Sequence, residues 1–406
     1  MFKIISNKIR EMRQKVALPE AARAELKRDG EGLPTGDPGL ERSVDESIGW
    51  LLRAQENSAS ADGGVARDFS LINGWASSYP ETTGYIIPTL LEYAEWKNDE
   101  LARNGARKML DWCVSIQFDD GGFQGGKIDS KPVVPVTFNT GQILLGLAAG
   151  VRVFGEPYSA SMHKAANWLR DSLDEDGCWR KHPTPFAKPG EKAYETHVSW
   201  GLFEAARLDP HQGWGEAGLR NVDWALTKQK ENGWFGDCCL NEPSRPLTHT
   251  IGYVLRGVLE AYRLSGDERY LAAARKTAEA IIRIVDEEGY LPGRLDADWR
   301  PAVKWVCLTG SVQIAHCLLL LHEMTGKQEY RAAAFRLNRF VRRTMKVAGD
   351  PDVRGGIKGS FPVDGDYGSF EYLNWAAKFF ADANMLEYRI REKEKNGQEE
   401  MRKCHD

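Results

Sequence analysis

The chain of 406 residues lacks a surplus of positive charge and lacks any long uninterrupted run of apolar residues. It has 54 Lys and Arg against 58 Asp and Glu, a net charge of −4, so its composition does not favour binding to nucleic acid or to an anionic lipid surface. No apolar run approaches the roughly 18–20 residues needed to cross a bilayer. We therefore expect no nucleic-acid partner and no stable membrane insertion.

The N-terminal segment also lacks the features of a secretory signal. Residues 1–13 mix Lys and Arg into a short amphipathic stretch, without an apolar core and without a small-residue cleavage site. The seven cysteines are odd in number and show no disulfide-framework spacing, and several, such as Cys113, Cys307 and Cys317, fall in helical segments. Both observations predict a cytoplasmic protein.

What the sequence does have is a glycine that recurs at a nearly fixed interval. Four of these glycines are 56 residues apart and two more extend the series by 58 and 66 residues: Gly63, Gly121, Gly177, Gly233, Gly289 and Gly355. An amphipathic helix precedes each glycine, and a more apolar helix rich in Gly and Ala follows after a loop of roughly 15–25 residues. Such a period indicates a repeat architecture.

Two helices in each of six units predict an all-α fold, an (α/α)6 toroid of six helical hairpins. An open solenoid is the alternative, but its terminal units should be polar caps, and the first and last inner helices here are as apolar as the others. We assign residues 41–389 to the toroid, residues 1–40 to an N-terminal arm, and residues 390–406 to a charged tail of frayed helix or disorder. Closure of the ring requires its first and last outer helices to be neighbours.

Two of the glycine turns resemble a repeat found in known toroids. The segments from Gln117 to Phe123 and from Gln229 to Trp234 are similar to the Gln-x-x-x-Gly-x-aromatic repeat of the squalene cyclases and protein prenyltransferases. The resemblance implies an α-α toroid in which the Gln and the aromatic residue tie one helical pair to its neighbour.

The catalytic motifs of those two families are not reproduced in this chain. The Asp-x-Asp-Asp acid of the class II terpene cyclases is absent, and the closest imitation of the prenyltransferase zinc ligands is Asp237-Cys238-Cys239 with a later His. We therefore expect no metal and no cofactor. The general character of the sequence across the whole ring also resembles that of carbohydrate-active toroids. These are unsaturated-uronyl hydrolases, lyase domains, sugar epimerases and toroids of bacterial polysaccharide biosynthesis.

Residues at the start of each inner helix, and in the loop before it, are expected to rim the cavity of such a ring. They mix aromatic rings with His, Arg, amides and carboxylates, which suits a hydroxylated sugar ring with two apolar faces. The residues predicted to bind substrate are Arg67, Trp75, Tyr85, Asn139, Gln142, Glu195, Trp200, Arg256, Trp305, Gln313, Asp366, Tyr367 and Asn374.

Two kinds of chemistry are open to the candidate catalytic residues, which are His249, Tyr253, His197, Asp68 and Glu81. Abstraction of a proton next to a uronate carboxylate needs a base and groups that neutralise the enolate, a set that His249 and Tyr253 with Asn139 and Arg256 would supply. Hydrolysis needs two carboxyl groups about 5–10 Å apart. The available carboxyl groups are those of Asp68, Glu81, Glu195 and Asp366.

The sequence thus predicts a carbohydrate-active enzyme that acts on a glycan or a uronic-acid-containing saccharide, as a lyase, an epimerase or a glycoside hydrolase. The resemblance to biosynthetic toroids suggests a place in surface-polysaccharide metabolism. Two alternatives stay open: a non-catalytic toroid that binds a glycan or a protein, and a terpenoid or prenyl enzyme. A filled ring would favour the first alternative, and a uniformly apolar closed cavity would favour the second.

Overall fold

The computed structural model describes residues 18–403 of the chain, with side chains to residue 397. Within this range the inner helices are α3 (Pro80–Lys97), α5 (Thr137–Phe154), α7 (Thr196–Leu208), α9 (Thr248–Ser265), α11 (Leu308–Thr325) and α13 (Asn374–Lys403). The outer helices are α2 (Leu40–Glu56), α4 (Glu100–Ser115), α6 (Ser159–Ser172), α8 (Trp214–Leu226), α10 (Glu268–Ile282) and α12 (Gln328–Thr344). A further helix, α1 (Glu20–Gly30), precedes the ring.

The inner helices form a closed ring. Each one contacts the next in chain order, and α13 contacts α3. The outer helices surround them, each with an apolar face turned inward and charged residues turned to solvent, as expected for amphipathic surface helices. The predicted (α/α)6 toroid is therefore confirmed.

Small residues allow the inner helices to approach one another closely. A Cβ atom added to Gly146 would lie 2.3 Å from the carbonyl oxygen of Gly84 on the neighbouring helix, and one added to Gly201 would lie 2.5 Å from that of Gly141. Side chains at these positions would push the helices apart. The Gly-rich composition of the inner helices is thus a requirement of the ring's small radius.

The helical hairpins pair each inner helix with the outer helix that follows it, as in α3 and α4, which are joined through Asn98 and Asp99. The sequence repeat instead groups each outer helix with the inner helix after it, because the glycine lies between those two. One pair is left over by this arrangement, and it consists of α2 from one end of the ring's chain and α13 from the other. The sixth hairpin is therefore assembled from distant segments.

The repeated glycines mark the joints between units. Gly121 has a φ of +103°, and a Cβ there would lie 2.5 Å from the carbonyl oxygen of Lys164 in the next outer helix. Gly355, in the last unit, has a φ of +82°, and its Cβ would lie 2.0 Å from the carbonyl oxygen of Glu46 in α2. The last turn therefore contacts the first outer helix as the other turns contact theirs, and the ring closes.

Substitution of Gly355 by Ala should weaken this closing joint. We expect Gly355→Ala to lower the free energy of unfolding by about 1–3 kcal/mol more than Gly349→Ala, because the new methyl group must displace backbone of α2. Gly349 is a matched control in the same loop. It has a φ of +91°, and a Cβ added there would have no atom of another residue within 4 Å apart from its chain neighbours. Urea unfolding of the two variants measures the difference, and equal losses would contradict the contact.

The glutamine of the repeat also works at these joints. The Gln117 side-chain amide donates hydrogen bonds to the carbonyl oxygens of Gly121 and, on the next outer helix, Ser161, at 3.0 Å in both cases. Gln229 donates in the same way to the carbonyl oxygen of Ala273, at 2.9 Å. These bonds tie each unit to the next, which is the structural role that the resemblance to other toroids implies for this glutamine.

Short strands join the long loops above the inner helices. The strand β1 (Asp68–Ser70) pairs antiparallel with β2 (Gly74–Trp75) and, across the closure, with β5 (Glu371–Leu373), where Phe69 lies opposite Tyr372. A second pair comprises β3 (Val306–Cys307) and β4 (Ser360–Phe361). The first and last units are thus tied together by a sheet as well as by helices.

Helix α1 lies within the region assigned to an arm. It packs on the loop of the last unit, where the Lys358 ammonium group binds Glu25 at 2.7 Å and Asp29 at 2.5 Å. At the other end, α13 continues to Lys403. The assignments for residues 1–17 and 404–406 lie outside the described residues. No helix within the described range is long and apolar enough to span a membrane.

Candidate functional site

A cavity of about 390 Å³ lies at the end of the ring where the inner helices begin. Its wall combines residues of the first helical turns with residues of the loops above them. The principal side chains are Arg67, Tyr79, Glu81, Tyr85, Lys127, Phe138, Asn139, Thr184, Phe186, Tyr194, His249, Tyr253, Tyr367 and Trp375. Seven of the predicted site residues are among them, namely Arg67, Glu81, Tyr85, Asn139, His249, Tyr253 and Tyr367.

Glu81 places a carboxyl group with an unusual proton affinity in this wall. It is the second residue of α3, and 9 % of its surface is exposed. Burial raises the pKa of Glu81 to about 7, although the Tyr79 hydroxyl and the Arg67 guanidinium act in the opposite direction. A carboxyl group that is partly protonated at neutral pH can serve as a proton donor.

Arg67 brings a guanidinium group to the cavity, but two carboxylates of the protein already bind this group. Its Nη1 lies 2.5 Å from an Asp68 oxygen and 3.0 Å from a Glu371 oxygen, and its guanidinium lies 5.1 Å from the centre of the Trp375 ring. Asp68 is thus engaged by Arg67 and does not line the cavity. The predicted catalytic role of Asp68 has no support in this geometry, because its carboxylate holds Arg67 in place.

His249 is held as a neutral base. It is the second residue of α9, and its Nδ1 lies 2.6 Å from Oε1 of Gln313. An amide oxygen accepts a hydrogen bond, so Nδ1 carries the proton and Nε2 keeps its lone pair. Burial lowers the pKa of His249 to about 4. The ring lies 4.4 Å from that of Tyr253 and 5.5 Å from that of Tyr367.

His197 repeats this pairing at a deeper level. Its Nδ1 lies 2.7 Å from Oε1 of Gln142, and its ring packs 4.4 Å from that of Tyr253. The residue is fully buried and lies beneath the cavity rather than in its wall. His197 therefore packs against Tyr253 with Gln142 bonded behind it, as Gln313 is bonded to His249, and neither His197 nor Gln142 lines the cavity.

Aromatic rings make up much of the remaining wall. Phe138 lies 5.3 Å from Tyr194 and 5.2 Å from Tyr253, and the Trp375 indole donates a hydrogen bond to the Tyr367 hydroxyl at 2.8 Å. Phe138, Tyr194 and Trp375 were not predicted to belong to the site. A signal existed for each, since each lies within two residues of the start of an inner helix.

Two predicted binding residues lie too deep in the ring. Arg256 is eight residues into α9, a rise of about 12 Å from its first residue. Its guanidinium binds Glu260 at 2.8 Å and covers the Trp200 ring at 3.8 Å. Arg256 and Trp200 do not line the cavity, and this position does not support the enolate-neutralising role predicted for Arg256.

Other predicted residues stay in the loops around the mouth without facing the cavity. The Trp75 indole packs on Trp50 and donates a hydrogen bond to Asp352, and the Trp305 ring packs on glycine backbone. Asp366 is exposed to solvent.

Asn374 donates hydrogen bonds to Ala66 and Thr82 and so joins the two ends of the ring. Glu195 lines a neighbouring pocket.

The possible zinc ligands are otherwise engaged. The Cys238 thiol donates a hydrogen bond to the carbonyl oxygen of Thr250, and Asp237 lies 3.3 Å from the Lys228 ammonium group. Within the described part of the chain, no group of three or more His, Cys, Asp and Glu side chains is arranged to hold a metal ion.

Comparison with known proteins shows the same architecture. An unsaturated glucuronyl hydrolase specific for heparin has a TM-score of 0.71 at 16 % identity, over 88 % of this chain and 99 % of that one. The cellobiose 2-epimerase of Bacillus thermoamylovorans has a TM-score of 0.65 at 12 % identity, over 85 % of this chain and 98 % of the epimerase. These likenesses establish the fold.

Sequence comparison gives a partial match. The squalene–hopene cyclase of Zymomonas mobilis is 30 % identical over 158 residues, which is 37 % of this chain and 20 % of the cyclase. The chain therefore spans about a fifth of that enzyme's length. No protein-family model matches the chain. These comparisons therefore show an α-α toroid fold for the chain.

Proposed function

We propose that this protein is a carbohydrate-active enzyme that binds a sugar ring in the cavity and moves protons at one of its carbons, as an epimerase or a lyase does. One observation carries the proposal. The cavity places Glu81, whose pKa is about 7, in the same wall as the neutral base His249, whose pKa is about 4. An acid and a base with separated pKa values are the equipment for proton transfer near neutral pH.

The lining of the cavity supports a saccharide rather than a terpenoid ligand. The aromatic rings of Phe138, Tyr194 and Trp375 offer surfaces for the apolar faces of a sugar, and Glu81, Asn139 and His249 offer hydrogen bonds to its edge. A terpenoid would leave these polar groups without partners, at a cost in binding free energy. An open cavity of this size also argues against a ring filled by its own side chains.

Within the proposed reaction, His249 Nε2 removes a proton from a carbon next to a carbonyl or carboxyl group, and Glu81 donates one. Asn139 is placed to stabilise the oxyanion that forms, because its Nδ2 is buried at the cavity without a hydrogen-bond partner among the described residues. The Tyr253 hydroxyl is a further donor, since burial raises its pKa well above the usual value. Of the predicted set, the proposal keeps His249, Tyr253 and Asn139 and does without Arg256.

Hydrolysis by a carboxylate pair is less well supported by this geometry. Of the four candidate carboxyl groups, that of Glu81 lines the cavity and that of Glu195 lines the neighbouring pocket. The carboxyl group of Asp68 is bound by Arg67, and that of Asp366 faces solvent. The unsaturated glucuronyl hydrolase and the cellobiose 2-epimerase share the fold, so either chemistry is compatible with the scaffold. We place the activity in the cytoplasm, in keeping with the free thiols of the six described cysteines.

A panel of saccharides in D₂O distinguishes the reactions. An epimerase incorporates deuterium at one carbon and inverts it, a lyase produces a new double bond that absorbs ultraviolet light, and a hydrolase releases a reducing end with oxygen from water. We expect deuterium incorporation or a double bond, from neutral sugars or from uronates. Release of a reducing end without deuterium at carbon would overturn the proposed chemistry, and inactivity on the whole panel would favour a non-catalytic toroid.

The pH dependence of kcat/KM should be bell-shaped. Activity should fall below about pH 4, where His249 gains a proton and loses its lone pair, and should fall above about pH 7, where Glu81 loses the proton that it must donate. The measurement is the initial rate on the best substrate of the panel from pH 3 to pH 10. Activity that rises through pH 7 would mean that Glu81 acts as a base instead.

A further inference from the structure

A second pocket of about 280 Å³ lies beside the main cavity, under the loop that connects α6 to α7. The two share Phe138, Thr184 and Tyr194 in their walls. Phe138 and Tyr194 meet edge to face, with ring centres 5.3 Å apart, and form the partition. A ligand that leaves the main cavity on this side would therefore pass directly into the second pocket.

The second pocket contains a buried carboxyl group that the proposed mechanism does not use. Glu195 is 7 % exposed, and its Oε2 has no hydrogen-bond partner among the described residues. Burial raises the pKa of Glu195 to about 8, so the group is a neutral carboxylic acid at pH 7. In that form it has one O–H donor and one carbonyl acceptor, the combination that a sugar hydroxyl can satisfy.

The positive charges around this pocket are mostly engaged elsewhere. Arg180 binds Asp176 at 2.7 Å and Glu191 at 2.6 Å, and the Lys192 ammonium group donates to two carbonyl oxygens of the loop after α8. Lys188 is exposed to solvent. The buried polar group of the pocket that retains hydrogen-bonding capacity, Glu195, is thus uncharged, and Trp179 adds an aromatic surface.

We infer that the second pocket is a binding subsite for an uncharged, hydroxylated sugar ring joined to the ring that occupies the main cavity. This inference rests on the proposed function and makes it more specific, because it requires a substrate of at least two sugar units. Glu195 is then a specificity residue for the second unit, and the Phe138–Tyr194 pair separates the two bound rings.

Calorimetric titration of the full chain with four sugars tests the subsite: glucose, cellobiose, glucuronate and the β-1,4-linked dimer of glucuronate. We expect wild type to bind cellobiose roughly tenfold more tightly than glucose, the effect of one or two additional hydrogen bonds. Glu195→Ala should abolish this gain, and Glu195→Gln, which keeps a donor and an acceptor, should retain it. The glucuronate dimer should show no gain over glucuronate.

The outcomes separate the inference from the proposed function. Equal affinities of wild type for glucose and cellobiose, or a gain that persists in Glu195→Ala, would overturn the second subsite alone. A larger gain for the glucuronate dimer would show that the pocket selects an acidic unit, contrary to the inference. Wild type that binds none of the four sugars would overturn the proposed function and the subsite together. Thermal melting of the two variants identifies any loss of folding, and Glu195→Gln preserves the shape of the side chain.

Discussion

Glu81→Gln should lower kcat by about 100- to 10,000-fold, the usual contribution of a positioned proton donor, and should change the melting temperature little. The amide fills the same volume and can still accept a hydrogen bond from Tyr79, but it cannot release a proton. The measurement is kcat on the best saccharide of the panel, together with its pH profile. The fall in activity above pH 7 should disappear from whatever activity remains.

Glu371→Gln is the matched control for this result. Its carboxylate is bound by Arg67, at 3.0 Å, and it lies outside the wall of the cavity. We expect a change of less than tenfold in kcat, because Asp68 continues to hold Arg67. Similar losses in the two variants would mean that the charge around Arg67 matters for activity and that proton donation by Glu81 does not.

Lys358→Met should produce the largest loss of stability among the charge substitutions, about 3–5 kcal/mol in the free energy of unfolding. The Lys358 side chain is 1 % exposed, and its removal leaves the Asp29 carboxyl group buried without the cation that binds it and takes one of its cations from the buried Glu25. Asp29 also accepts a hydrogen bond from the backbone N–H of Val363, so the loop that carries Tyr367 should loosen as well. Urea unfolding monitored by tryptophan fluorescence gives the value.

Lys346→Met provides the comparison, because Lys346 binds the same Glu25 from a side chain that is 31 % exposed. The Lys346 ammonium group is partly open to water and Glu25 keeps its contact with Lys358, so the expected loss is below about 1 kcal/mol. Equal losses in the two variants would show that burial of Lys358 is not what makes its contacts important.

The fold followed from the sequence because a single geometric rule governs it. In each unit a glycine with a positive φ forms the turn that contacts the next outer helix. The sequence repeats this glycine six times, from Gly63 to Gly355. Part of the site followed from a second rule, namely that residues in the first two turns of an inner helix can face the cavity. Glu81, Asn139 and His249 do so from the first turn and Tyr85 and Tyr253 from the second, whereas His197 does not line the cavity.

The rest of the site depended on information that helical spacing does not contain. A residue further along an inner helix lies deeper in the ring, and for this reason Arg256 does not reach the cavity. Within the long loops no period applies, so Trp75, Trp305 and Asp366 could not be oriented, while Tyr194 was overlooked although it directly precedes the candidate Glu195. The pKa values of Glu81 and His249 likewise depend on burial that only the folded ring creates.

The pairing of α2 with α13 has a consequence for synthesis on the ribosome. Ser47 donates a hydrogen bond to the carbonyl oxygen of Ala377, 330 positions later, so α2 is synthesised long before the helix with which it pairs. Until then the apolar face of α2 lacks its principal native partner, and contacts of such sequence separation form slowly. We expect nascent chains that stop before Tyr367 to be held by chaperones and to have no complete sugar-binding cavity, since Tyr367 and Trp375 are translated after the other residues of its wall.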